Sequence, residues 1–250
     1  MDYKIGTQPI KRIINYCWFG GNPKSELILK CIDSWKRFFP EYEIIEWNET
    51  NFDIHCCKYV EEAYASKKWA FVSDYCRVWV LYHYGGIYFD TDVQVIKNTN
   101  IFETNCVGFE KRKLINPGLA MASEKGSWFC KEMLDEYNKD SFIIDDKHNY
   151  RTICDRATDI FKVHGLKLNN KHQLIDGFNV YPSDYFNPMG NSGGTIKMTN
   201  NTVSIHLFSA SWVDDEYIKN FKPSFRGKIY RILSSIFGKR FADFVRRVFN

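Results

Sequence analysis

The sequence predicts an α/β fold with a mixed sheet. Short apolar runs of strand length alternate with stretches of helical periodicity from the start of the chain. Gly and Pro punctuate these runs. The second half loses the regular alternation, which argues for a mixed rather than a purely parallel sheet.

The elements follow in order. RIINYCW (12–18) is an apolar run stopped by Gly20, Gly21 and Pro23, and reads as a buried strand followed by a turn. Ser25 caps a helix over 26–38 that carries Cys31, Ile32 and Trp35 mostly on one side, with Pro40 beyond its end. YEIIEW (42–47) is a second strand, and a helix covers roughly 57–68. A stronger helix over about 70–84 carries Val72, Cys76, Trp79 and Val80 and stops at Gly85-Gly86. GIYFD (86–90), DVQVI (92–96) and CVGFE (106–110) read as strands, and KRKLINPG (111–118) as a basic loop. Helices are expected over 126–139 and about 150–163, and strands at NVYP (179–182) and TVSIHLF (202–208) around a loop rich in Gly, Asn and Ser.

Composition narrows the function classes. A chain of 250 residues with 44% hydrophobic residues can bury a full core without metals or disulfides. Mean hydropathy is −0.39, and no apolar run approaches the ~18 residues of a spanning helix. The first 21 residues lack the apolar core and cleavage site of a secretory signal. Eight cysteines show no CxxC pair and no framework, as expected of a reduced, cytoplasmic protein. The net charge of +4 is concentrated in residues 222–250, where eight Lys/Arg face Asp243 alone. A near-neutral body with a basic tail argues against a nucleic-acid partner.

The chemistry concentrates in WAFVSDYCRVWVLYHYGGIYFDTDVQV (69–95). An apolar strand delivers Asp90 and Asp92 at its end, where the chain turns and both can reach one ligand. Two hard oxygen donors with no neighbouring Cys or His suit Mg²⁺ or Mn²⁺ held together with a diphosphate. Asp74 and Arg77 are three apart on the preceding helix and share a face. The plain reading is an intrahelical ion pair. The functional one is an acid for sugar hydroxyls beside an Arg whose planar fork binds phosphate. Phosphatases of the haloacid-dehalogenase type also begin with a strand and DxD, but they expect Thr or Val where Gln94 stands, and a position near the domain start.

At these residues the chain resembles the DXD-containing sugar transferases of glycosyltransferase family 32, which includes capsular-polysaccharide and lipopolysaccharide transferases and is distantly similar to glucosylating toxin domains. The resemblance rests on KRIINYCWFGG (11–21), CIDSWKRFFPEYEIIEWNE (31–49), WAFVSDYCRVWVLYHYGGIYFDTDV (69–93) and SIHLFSASW (204–212). It implies a GT-A fold over 1–220, a nucleotide-sugar donor such as a UDP-sugar, Mn²⁺ or Mg²⁺, and transfer with retention to a glycan or lipid-linked acceptor. By position it makes Trp18 the platform for the donor's base. Asp74 and Arg77 become contacts to donor sugar and diphosphate, and Asp90 a ribose, sugar or metal contact. Asp92 becomes the direct metal ligand, His206 a late ligand, and Ser211 and Trp212 the pair closing over the β-phosphate. Leu207 and Phe208 depart from the family pattern after that His. The alternatives left open are a nucleotide-sugar-binding protein without turnover and a metal-dependent phosphohydrolase.

The tail, 221–250, reads as a basic amphipathic helix. Ile229, Ile232, Leu233, Ile236, Phe237, Phe241 and Phe244 recur at helical spacing while Lys and Arg fall largely elsewhere. That pattern suits an anionic membrane surface, and the expectation is a peripheral enzyme on the inner face of the cell membrane.

Overall fold

The computed structural model describes residues 9–110, 113–188 and 196–208. A seven-stranded mixed sheet forms its centre, in the order β2-β1-β3-β6-β5-β10-β9. These strands are β1 (Ile13–Cys17), β2 (Glu43–Trp47), β3 (Gly86–Tyr88), β5 (Cys106–Gly108), β6 (Met121–Ser123), β9 (Gln173–Ile175) and β10 (Phe178–Tyr181). β1 runs parallel to both neighbours, β2 and β3, and β10 runs parallel to β5. The contacts of β6 with β3 and β5, and of β9 with β10, are antiparallel. The α/β fold with a mixed sheet expected from the sequence is what the chain forms.

Alternate side chains of the strands feed two cores, one on each face. Cys17, Tyr88, Val107, Met121 and Val180 join the core under α2 (Lys58–Ala65), α3 (Trp69–Tyr84), α4 (Trp128–Tyr137) and α5 (Ile153–Val163). Ile14, Tyr16, Ile87, Phe89 and Ala122 join the opposite core under α1 (Glu26–Phe38). The cap of α1 is the expected one: Ser25 accepts the Ile28 N–H. The first residue of β3 must be glycine, because Gly86 sits at φ +109 and a Cβ there would lie 2.7 Å from the Ile13 carbonyl.

A second ladder lies beyond β3. β4 (Val93–Val95) pairs antiparallel with β11 (Ser204–His206), with His206 opposite Val93. α1 clamps β4 in place. The Trp35 indole donates to the Val93 carbonyl at 2.7 Å, and the Ser34 hydroxyl accepts the Val95 N–H at 2.9 Å. Strands β6 and β9, and a hairpin of β7 (Ile143–Ile144) and β8 (Lys147–His148), are additions to the sequence reading. Among the described residues, no helix is long and apolar enough to cross a membrane. Residues 221–250 lie outside the described residues, and with them the amphipathic reading.

Candidate metal and diphosphate site

β3 carries the chain through the centre of the sheet and releases it at Phe89. The Asp90 N–H donates to the Gly118 carbonyl at 3.1 Å, and the Val93 N–H returns to the Asp90 carbonyl at 3.0 Å. This tight turn holds Asp90 and Asp92 at the strand end. The β4–β11 ladder then delivers His206 from far along the chain, and the Leu207 N–H donates to the Asp92 carbonyl at 3.0 Å. His206 Nε2 lies 3.2 Å from Asp92 Oδ1 and 3.6 Å from Asp90 Oδ2. One ligand atom from each of the three residues falls within 4.8 Å of the others. The ring is oriented from behind, because His206 Nδ1 accepts the Phe208 N–H at 3.2 Å.

Arg77 joins this triad to α3. Its Nη2 is 2.9 Å from Asp74 Oδ1 and 3.0 Å from Asp90 Oδ1, and its side chain is only 6% exposed. The plain reading of the Asp74/Arg77 spacing holds, since the pair is intrahelical. The same guanidinium also reaches the DXD turn. Tyr88 supports both partners. Its ring lies 4.8 Å from the guanidinium, and its hydroxyl donates to Asp90 Oδ1 at 3.3 Å. Gly118 completes the cradle. A Cβ there would stand 2.0 Å from Asp90 Oδ2 and 2.7 Å from Arg77 Nη1. Neither Tyr88 nor Gly118 stands out in the sequence. Tyr88 lies inside an apolar strand signal. Asn116-Pro117-Gly118 reads as the end of a basic loop, with no sign of what its glycine approaches.

Burial and charge set the protonation of the site. Burial pushes the Asp74 carboxyl up to about 6; Asp90 adds to the shift, while Arg77, Arg156 and the Ile153 N–H at the start of α5 oppose it. Burial pushes Asp90 the same way, but Arg77, His206 and the Tyr88 hydroxyl outweigh it and hold this carboxyl below its ordinary range. For His206, burial opposes the charge, and Asp92 and Asp90 overcome it, so its pKa is raised.

Trp18 leaves the neighbouring strand at the same end of the sheet, since the β1–β3 ladder pairs Asn15 with Tyr88. Its indole donates to the Asn22 carbonyl at 2.7 Å, and Lys24 Nζ lies 5.5 Å from the ring. The ring lines a cleft of about 340 Å³ with Lys24, Glu46, Asn48 and Glu49. The carboxyl ends of parallel strands are where open α/β sheets place ligands. Ser211 and Trp212 lie outside the described residues.

Residues 25–109 match the family model described as a glycosyltransferase sugar-binding region containing a DXD motif. That segment includes Asp74, Arg77, Asp90 and Asp92 and ends before His206. Among solved structures, the chain is similar to one titled PaToxG Glycosyltransferase, at 21% identity and a TM-score of 0.45, over 61% of this chain and 68% of that one. It is also similar to a structure described as that of a transferase mutant, at 10% identity and a TM-score of 0.43, over 62% of this chain and 87% of that one. No curated protein matches the chain.

Proposed function

We propose that the chain is a metal-dependent glycosyltransferase of the GT-A type, taking a sugar from a nucleotide-sugar donor, a UDP-sugar first, to a glycan acceptor. The observation that carries this reading is the Asp90/Asp92/His206 cluster joined through Arg77 to Asp74. Two carboxylates and an imidazole within 4.8 Å of one another fit Mn²⁺ or Mg²⁺. Asp92 and His206, with Asp90, would hold the ion. When bound, it supplies neutralisation of charge on a diphosphate.

The remaining work falls to the chain's own groups. Breaking a sugar–phosphate bond places negative charge on the departing diphosphate. Arg77 is fixed by two carboxylates and an aromatic ring, so its charge needs no reorganisation as that charge develops. Trp18 offers a flat face for the donor's base, and Asp74 an acceptor for sugar hydroxyls. Ser211 and Trp212 would close over the β-phosphate. Retention at the anomeric carbon, a capsule or lipopolysaccharide acceptor, and docking of 222–250 on the inner membrane face belong to the same proposal and rest on the family resemblance and the tail's pattern. The intact charged set speaks against a binding protein without turnover.

The test is a panel of nucleotide sugars incubated with the full chain, with and without Mn²⁺. Release of nucleoside diphosphate from one donor, dependent on the metal, is the expected result. No release and no thermal stabilisation across the panel would overturn the reading.

A further inference from the structure

The cleft beside Trp18 holds a charged pair that the metal and diphosphate site does not use. Lys24 follows Pro23 in the loop between β1 and α1, and its Nζ lies 2.6 Å from Glu46 Oε2 on β2. Their side chains are only 21% and 28% exposed, so solvent screens the pair less than it would on an open surface. Glu46 is an anchor for this ammonium. It also accepts the Tyr16 hydroxyl and, at 3.1 Å, the Asn48 Nδ2–H. Burial opposes its charge, but the bonds from Lys24, Tyr16 and Asn48 outweigh it and hold this carboxyl below its ordinary range. The anchored Nζ stands 5.5 Å from the centre of the Trp18 ring. That ring is tied to the same loop through the Asn22 carbonyl at 2.7 Å. Among the described residues lining the cleft of about 340 Å³, Lys24 is the one cation.

Sheet order decides which part of a ligand meets Lys24. β1 lies between β2 and β3. Asp90 and Asp92, with Arg77, gather where β3 ends, whereas Lys24 is held by Glu46 on β2, on the other side of β1. The inference rests on the proposed reading of Trp18 as the platform for the donor's base. With a diphosphate at the β3 end and the base on Trp18, the base edge farthest from the ribose points toward β2. That edge carries the substituent at C4 of a pyrimidine or C6 of a purine. Uracil and guanine present a keto oxygen there, an acceptor; cytosine and adenine present an amino group, a donor. A lysine ammonium has three N–H donors and no acceptor, and one of the three serves Glu46. We propose that Lys24, held by Glu46, is a specificity-determining residue that selects nucleoside diphosphates with a keto base over those with an amino base. A keto oxygen gains a charge-assisted hydrogen bond. An amino group sets donor against donor and leaves both without a partner in the cleft.

The experiment is calorimetry on the full chain with Mn²⁺, comparing UDP with CDP and GDP with ADP. In at least one pair the parent should bind the keto member about tenfold more tightly than the amino member, a comparison that needs no variant. Lys24→Met keeps the aliphatic stem over Trp18 and removes the donors. In it, affinity for the keto member should fall to that of its amino partner, whose own affinity should change by less than about twofold. Glu46→Gln leaves Lys24 in place without its anchor and should narrow the keto-to-amino ratio. Circular dichroism confirms that each variant is folded. Three results would each overturn the inference and leave the proposed function standing. They are equal binding of keto and amino members by the parent, equal loss of all four ligands in Lys24→Met, as a contact to phosphate would give, and tighter binding of all four in Lys24→Met, as a side chain merely covering the ring would give. Binding of none of the four by the parent would overturn the proposed function and this inference together.

Discussion

Replacing Asp74 by Asn removes a charge from a place where burial holds the carboxyl up to about 6, against an ordinary value of 3.8. The side chain is 13% exposed, so solvent screens little of that effect. A shift of roughly two units, at about 1.36 kcal/mol each, amounts to about 3 kcal/mol. The sign follows from linkage. The folded state holds the proton more tightly than the unfolded chain, so the advantage of the neutral form is present below the unfolded pKa and is lost as pH rises through 6. Asp74→Asn keeps the neutral shape and an oxygen for the Ile153 N–H. It should match the parent in stability near pH 4 and exceed it by up to about 3 kcal/mol above about pH 6. Urea unfolding of both proteins in chelator, from about pH 4 to about pH 8, measures this. A variant less stable than the parent near neutral pH would refute the reasoning, because it would mean that the ion pair with Arg77 outweighs the cost of burial.

Trp18→Ala should weaken binding of a nucleoside diphosphate by roughly 1–3 kcal/mol with or without metal, read by calorimetry; equal affinities would make Trp18 a packing residue only. Gly118→Ala forces a methyl group against Asp90 and Arg77. It should cost about 1–3 kcal/mol of stability and weaken metal-dependent nucleotide binding, and an unchanged variant would show that the loop yields freely. A chain truncated after Asn220 should stay folded and lose co-sedimentation with anionic vesicles, where each basic group contributes about 1 kcal/mol; a full chain that ignores such vesicles would end the membrane reading.

Much of the first half is legible because strand and helix there are separated by unambiguous stops. Pro23 and Ser25 fix the start of α1, and Gly85-Gly86 the end of α3. β6 is hidden because Met121–Ser123 is three buried residues with no alternation, and its place between β3 and β5 is decided by tertiary pairing. The Asp74/Arg77 spacing is visible, but the reach of Arg77 to Asp90 depends on how α3 packs across β3, which spacing does not contain. His206 emerges only through resemblance. Its neighbours Ile205 and Leu207 describe a core strand, and the pairing with β4 is what shows which residues it faces.

The most direct measurement is calorimetry of UDP binding with and without Mn²⁺, on the parent and on Asp92→Asn. The parent should bind UDP at least about tenfold more tightly with Mn²⁺, a difference of about 1.4 kcal/mol, and the variant should bind equally in both conditions. A folded Asp92→Asn that keeps the full Mn²⁺ enhancement would contradict the assignment of this cluster as the metal and diphosphate site.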